Sequence, residues 1–415
     1  MTSGLARFDA HCHLFNLKYL FLEAGDMLLD AVLGSYPHEG APGEVVPGSI
    51  QQVTAKGKIR DFLRWLKGLE EACVGSEEEH LDAVLAAGRK SWGAPSHLAA
   101  IPLMMDVYYM FAPILYADSL PVAPMPKKSR LDVGVLRWGK ALMEVEVLLH
   151  GAGIRLELVE FVRDSLHAKG SHPFDPHAPQ PSYHDTRGFA YHRHRLEELK
   201  FRRPAELYPF FAVDPRRPGV VEAVVSGEFV GKGKPFQGVK LYPRMGYDPA
   251  CRALEPLFAW CDKNRIPIVS HCAAQGFPPV GGHDAFGLPS RFERILARHP
   301  DLIIDFAHFG LYEPAWADQI VDSMQRYEHV YSDLACYTRE EQIPAFRAAY
   351  WDKPLVRERT MFGTDFDVFY LVGIGRTLDS YHRAFLAAHN PGAFTDDDME
   401  SLTSTVPGRF LSTVV

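Results

Sequence analysis

Six short apolar runs decide the fold: YPFFAVD (208–214), QGVKLY (237–242), IPIVSH (266–271), LIIDFAH (302–308), VYSDLA (330–335) and TMFGTD (360–365). They begin 29, 29, 36, 28 and 30 residues apart. Each has the length and the β-branched or aromatic content of a buried strand. Helix-like segments separate them, at 218–229, 249–264, 289–298, 314–327 and 339–350, and several open on proline, which suits a first helical turn. Strand, helix, strand at about 30 residues per unit is the βαβ repeat, and its strands run parallel.

Upstream, two more strands are available: 5–9, leading into His11, and 98–105, ending at Asp106. Six and two make eight, the count of a (β/α)8 TIM barrel. An open doubly wound sheet would carry a Gly-rich phosphate turn after its first strand, and FDAHCHLF (8–15) has none. The first half is stretched, with about 85 residues between the first two strands and about 100 before the third. Segments 59–73, 78–90 and 136–166 read as helices, the last dense enough in apolar residues to need burial. The span 170–185, with His172, His177 and His184, reads as an exposed loop. The expectation is α/β: one domain, 1–415, a distorted barrel whose large helical insertions after strands 1 and 2, about 15–95 and 107–200, cap one end.

Hydrophobic residues make up 47% of the chain and charged residues 23%, the balance of a globular protein with a large core. Lys and Arg number 44 against 52 Asp and Glu, a net charge of −8 that argues against nucleic acid as partner. From 98 to 117 only Asp106 is charged, yet Pro102 and Pro113 interrupt the stretch, so a buried strand is expected there and no membrane span. The six cysteines form no C-x-x-C pair and the N-terminus lacks the basic and apolar stretches of a leader. The expected setting is cytoplasmic, and the expected partner a small-molecule substrate.

His11-Cys12-His13 carries the chemistry. Residues two apart on a strand share a face, so both imidazoles can converge on one ion. His192-Arg193-His194 repeats the spacing in a helix-like stretch, where side chains two apart diverge. The first pair has company: His271, His308 and Asp365 end strands five, six and eight, and Lys240 lies near the end of the fourth. Barrel enzymes build their sites at that C-terminal face, so the ensemble points to a metal centre. His and Asp donors suit Zn²⁺ with one position open to water.

The chain resembles the amidohydrolase superfamily, in particular the amidohydrolase-related branch that also holds non-oxidative decarboxylases. The resemblance rests on DAHCHLF, FFAVDPRRP, GVKLYP, SHCAAQG, DFAHFG and FGTDFDVF, and on a closing helix LTSTVPGRFL that departs from the pattern at Pro407. It implies one or two divalent ions, usually zinc, with His11, His13, His271 and Asp365 as ligands of a mononuclear site. Asp365 would also move a proton from the attacking water, and His308 would support that site or ligate a second ion. Lys240 has three readings: a carbamylated bridge between two ions, a cationic substrate contact, or a structural ion pair. Arg244 is a candidate grip for a substrate carboxylate, and Asp106 and Tyr108 candidate pocket walls. Asp214 also ends a strand but reads equally as a turn; Asp333 and Asp367 are expected as loop caps. Tyr109, Phe277 and Tyr337 line a pocket or the core. A homodimer is a family expectation only. The resulting expectation is a metal-dependent hydrolase of amide, lactone or related cyclic C–N or C–O bonds; the alternative is a metal-dependent decarboxylase of an aromatic or unsaturated acid.

Overall fold

A computed structural model describes residues 6–14, 75–93, 97–111, 114–117, 187–276, 283–311, 313–366, 368 and 377–415. The strands fall where the apolar runs are: β1 (Arg7–Cys12), β2 (Leu98–Pro102), β3 (Phe210–Val213), β4 (Gly238–Leu241), β5 (Ile268–His271), β6 (Ile304–Ala307), β7 (Val330–Asp333) and β8 (Thr360–Met361). All pair in parallel, β1 with β2 and β3 through β8 in sequence order.

Two seams close the ring. Ala100 bridges Leu207 and Leu103 bridges Phe210, joining β2 to β3. Cys12 bridges Phe366, while the Ala10 N–H donates to Phe362 O at 2.9 Å and the Asp365 N–H to His11 O at 2.7 Å, joining β8 to β1. Seams of isolated bridges, and a β8 of two residues, make this a distorted (β/α)8 barrel. The β1 register slips between Asp9 and Cys12, where the strand passes through His11.

Alternation along the strands sorts the core. Phe211 meets Phe236 and Phe189 on the helix side, and Phe306 meets Phe292. The register places Ala212, Lys240, Val269, Asp305 and Tyr331 at one level of the other, inward face.

Among the described residues, two α-helices belong to the stretched first half. In α1 (Glu77–Ser91), Ser76 and Glu79 form a capping box, with three acids in the first turn and Arg89 and Lys90 in the last. α2 (Arg187–Arg202) is tied to it by Arg202–Glu78 at 2.6 Å and Arg195–Glu77 at 3.3 Å. The readings for 59–73, 136–166 and 170–185 lie outside the described residues. The stretch from Leu98 opens with fully buried β2, as expected, and no described helix is long and apolar enough to cross a membrane. At the tail, a π-turn over Ser401–Thr405 precedes the helix Val406–Phe410. Widening the turn ahead of Pro407 accommodates a residue that cannot donate its N–H.

Candidate metal centre

The donor set gathers where the strands end. His11 lies in β1 and His13 just beyond it, His271 ends β5, His308 follows β6, and Asp365 follows β8. Left-handed backbone concentrates here: His308, Phe309, Cys336 and Asp365 have φ of 71°, 45°, 64° and 58°. Such conformations cost roughly 1–2 kcal/mol each without glycine, so the surroundings hold them against their preference.

Second partners fix the imidazoles. His11 Nδ1 lies 2.7 Å from Asp333 Oδ2, and His13 Nδ1 lies 2.6 Å from the Leu103 carbonyl. Both partners accept, so each Nδ1 carries the hydrogen and each Nε2 turns a lone pair inward. Those two Nε2 atoms stand 3.2 and 3.0 Å from Asp365 Oδ1. On the far side, His271 Nε2 donates to Gln275 O at 2.8 Å, leaving its Nδ1 lone pair 3.1 Å from His308 Nε2. Donors about 2.0–2.2 Å from a tetrahedral ion stand roughly 3.3–3.6 Å apart, close to these spacings. The ligand atoms of His11, His308 and Asp365 all fall within 4.8 Å of one another, a group able to hold a metal ion. His13 joins it through Asp365 and His271 through His308.

Electrostatics favour the same reading. Burial alone would neutralise every group. It does hold the His13 and His271 pKa values below the ordinary range and brings that of His308 down to about 4, so these rings are neutral bases. For Asp365, burial is outweighed by the neighbouring His11 and His13 imidazoles, and the carboxyl stays well below its usual pKa. At His11, burial is outweighed by the Asp333 carboxylate, which raises the imidazole's pKa. Three neutral lone-pair donors around a carboxylate fit a divalent cation.

Lys240 is 1% exposed, and its Nζ has no hydrogen-bond partner among the described residues. Burial brings its pKa down to about 8 against the pull of Asp333, Asp365 and Asp305. It faces a small cavity lined also by Met104, Met105, Asp106, Tyr242 and Met245. Tyr242 stacks on His271, ring centroids 4.1 Å apart.

The other candidates are engaged by this chain's own groups. Arg244 meets Asp284 at 2.7 Å and donates to the Gly276 carbonyl at 2.8 Å, so its fork already holds a carboxylate. Asp106 does reach the cavity wall but receives Arg217 bidentately, at 2.6 and 2.7 Å. Tyr108 lies half-buried, 5.5 Å from Arg217 over its ring and 5.1 Å from Tyr109. Asp214 makes the turn, accepting the Arg216 N–H at 2.9 Å and its guanidinium at 2.6 Å. Tyr337 packs in the core on Phe346. Phe277 and Asp367 lie outside the described residues. In the second H-x-H, His192 is buried while His194 turns outward to Glu197, at 3.2 Å.

Asp333 does more than cap. Its Oδ1 accepts the His308 and Ala335 N–H groups, both at 2.9 Å, while Oδ2 holds His11. The signal was available, since VYSDLA brings a polar residue to the end of an apolar strand as the other runs do. Cys336, whose Sγ–H donates to Asp365 Oδ2 at 2.9 Å, carried no such signal.

The family model described as Amidohydrolase matches residues 171–407, more than half of the chain. The chain belongs to that family. No curated protein matches it. Among solved structures, this amidohydrolase-family chain is similar to 5-carboxyvanillate decarboxylase from Novosphingobium aromaticivorans with bound manganese (13% identity, 99% of this chain and 98% of that one, TM-score 0.49). It is also similar to 2,6-dihydroxybenzoate decarboxylase from Rhizobium (16% identity, 57% and 81%, TM-score 0.40). A third is an uncharacterized TIM-barrel protein from Bordetella bronchiseptica (18% identity, 54% and 72%, TM-score 0.40).

Proposed function

We propose that this amidohydrolase-family chain is a metal-dependent hydrolase that cleaves an amide, lactone or related cyclic C–N or C–O bond of a small molecule. His11, His13, His271 and Asp365 would hold the primary ion, taken to be zinc from the N and O donors. When bound, the ion supplies Lewis acidity, polarising a carbonyl and lowering the pKa of water. Asp365 takes a proton from the attacking water and returns it to the leaving group. Cys336, donating to Oδ2, keeps the carboxylate oriented for that transfer.

The observation that carries the reading is Lys240, a buried amine with no hydrogen-bond partner among the described residues. With a pKa brought down to about 8, part of it is free base near neutrality, the form that reacts with CO₂ to give a carbamate. A carbamate would be an anionic oxygen ligand able to share two ions with Asp365 and the four histidines. The same residue supports a second reading. As an ammonium in a cavity of Met and Tyr side chains, Lys240 would pair with the carboxylate of an aromatic or unsaturated acid, and the reaction would be decarboxylation.

Metal stoichiometry of wild type and Lys240→Ala, with headspace CO₂ and ¹⁸O-water incorporation on any substrate found, separates the two. Hydrolysis incorporates solvent oxygen and releases no CO₂, and the second ion disappears in Lys240→Ala. Stoichiometric CO₂ release without ¹⁸O uptake overturns hydrolysis, and one ion per chain in both proteins removes the carbamate bridge.

A further inference from the structure

His271 is held on two sides, and the two holds do different things. Its Nε2–H donates to Gln275 O at 2.8 Å. That bond selects one of the two flipped orientations of the ring, because a half-turn about Cβ–Cγ would present Cε1 to the carbonyl instead. It does little to fix the ring plane, since Nε2 lies close to that rotation axis. Rotation about Cβ–Cγ in histidine is soft, with broad minima, and Nδ1 lies off the axis. The direction of the Nδ1 lone pair therefore follows the plane, and the plane is set by Tyr242. The two rings stack with centroids 4.1 Å apart and planes 14° apart.

Tyr242 is built as a fixed plate. It follows β4, its N–H donates to Tyr247 Oη at 2.6 Å, and the buried Tyr247 donates in turn to the Val213 carbonyl at 3.2 Å. The chain beyond β5 passes both rings at Gly276, where φ is +132°. A Cβ at that position would overlap Tyr242 Oη and stand 2.9 and 3.0 Å from His271 Cε1 and Nε2, so only glycine fits against the stack.

We infer that Tyr242 is a positioning residue of the metal centre: its ring fixes the plane of His271 and so points the Nδ1 lone pair into the space shared with His308 Nε2, 3.1 Å away. Packing alone would be served by any apolar side chain of similar volume. Positioning needs a flat one, and it sets ion affinity as well as stability. The inference rests on the metal reading proposed above, and its test keeps the two apart.

Full-length wild type, Tyr242→Phe, Tyr242→Leu and Tyr242→Met would be stripped with chelator. Zn²⁺ and Mn²⁺ affinities are then read by competition with a chromogenic chelator, and the visible spectrum of the Co²⁺ form reports the donor arrangement. Differential scanning fluorimetry gives the melting temperature of each metal-free protein. An aromatic pair contributes roughly 2- to 12-fold to an equilibrium, so Leu and Met should weaken binding by about 3- to 10-fold and alter the Co²⁺ spectrum. Phe keeps the ring, and should stay within about twofold of wild type with the wild-type spectrum. Unchanged affinity and spectrum in Tyr242→Leu, or equal damage from Phe and Leu, would each overturn the assignment. If Leu prevents folding, Met, which fills the space with a flexible chain, decides by the same criteria. Wild type that binds none of the ions overturns the metal reading and this assignment with it, whereas tight wild-type binding with indifferent Leu and Met overturns only the assignment.

Discussion

Replacing Asp333 by Asn tests the arrangement around His11 most directly. The carboxylate accepts on both oxygens: Oδ2 from His11 Nδ1 at 2.7 Å, Oδ1 from the His308 and Ala335 N–H groups at 2.9 Å. Asn keeps one accepting oxygen and turns the other into a donor. If its NH₂ faces the two backbone N–H groups, two contacts are lost and the turn after β6 loosens. If it faces His11, that ring must place its hydrogen on Nε2, the atom that would hold the ion. Either way at least one charge-assisted hydrogen bond goes, worth about 1.5–3 kcal/mol. At about 1.4 kcal/mol per decade, that is roughly a 10- to 150-fold loss of ion affinity. Chelator competition with Zn²⁺ measures it, with circular dichroism to show that the fold survives. Affinity within about threefold of wild type in a folded Asp333→Asn would refute the claim that this carboxylate sets the His11 tautomer.

Two further predictions concern groups away from the donor set. His382 sits in the helix Leu378–Phe385 against Trp92 and Phe362, with both ring nitrogens unbonded among the described residues, and burial brings its pKa down to about 4. Its folded pKa lies below the unfolded value of about 6.5, so the unfolded chain protonates first as pH falls and stability drops between about pH 6.5 and 4, by up to roughly 3 kcal/mol. His382→Phe should remove that part of the acid loss in urea unfolding at pH 7 and 5, and parallel losses in both proteins would refute it. Arg217→Met should destabilise by about 3–5 kcal/mol, because it strands Asp106 in the interior. Adding Asp106→Leu should restore most of that stability, and a double variant no better than the single one would deny that the unpaired charge is the cause.

The barrel was legible because its signals are local. A 30-residue period and strand-length apolar runs are properties of the chain, and each run from 208 to 365 became a strand. The histidines and Asp365 were legible for the same reason, each being the polar end of an apolar run. What the sequence concealed depends on contacts between distant segments. Arg244 looked free because Asp284 is 40 positions away, and Asp106 because Arg217 is 111 away. Asp333 passed as a cap because its bond to His11 spans 322 positions. Charges pair across strands according to register, and register is not written in any one strand.

Closing the ring and assembling the donors are one structural event. The seam between β8 and β1 has almost no ladder, since β8 is two residues long. Its place is taken by the Asp9 carboxylate, which receives the Thr364 N–H at 3.0 Å and its hydroxyl at 2.6 Å, and by the backbone bonds from Asp365 to His11 and from His13 to Phe366. Gly363 lets the strands approach, because a Cβ there would sit 2.6 Å from His11 Cβ. Tyr381 ties the same end to β7 through the Leu334 and Gly363 carbonyls, at 2.9 and 2.7 Å. The peptides that complete the barrel thus belong to the residues that would hold the ion, and Asp365 adopts its left-handed turn inside that seam. Strain at Asp365 is sustained by closure, and closure is held by bonds that Asp365 and its neighbours make. An ion bound to His11, His13 and Asp365 would cross-link both sides of the β8–β1 seam, so ion binding should add to the stability of the closed ring.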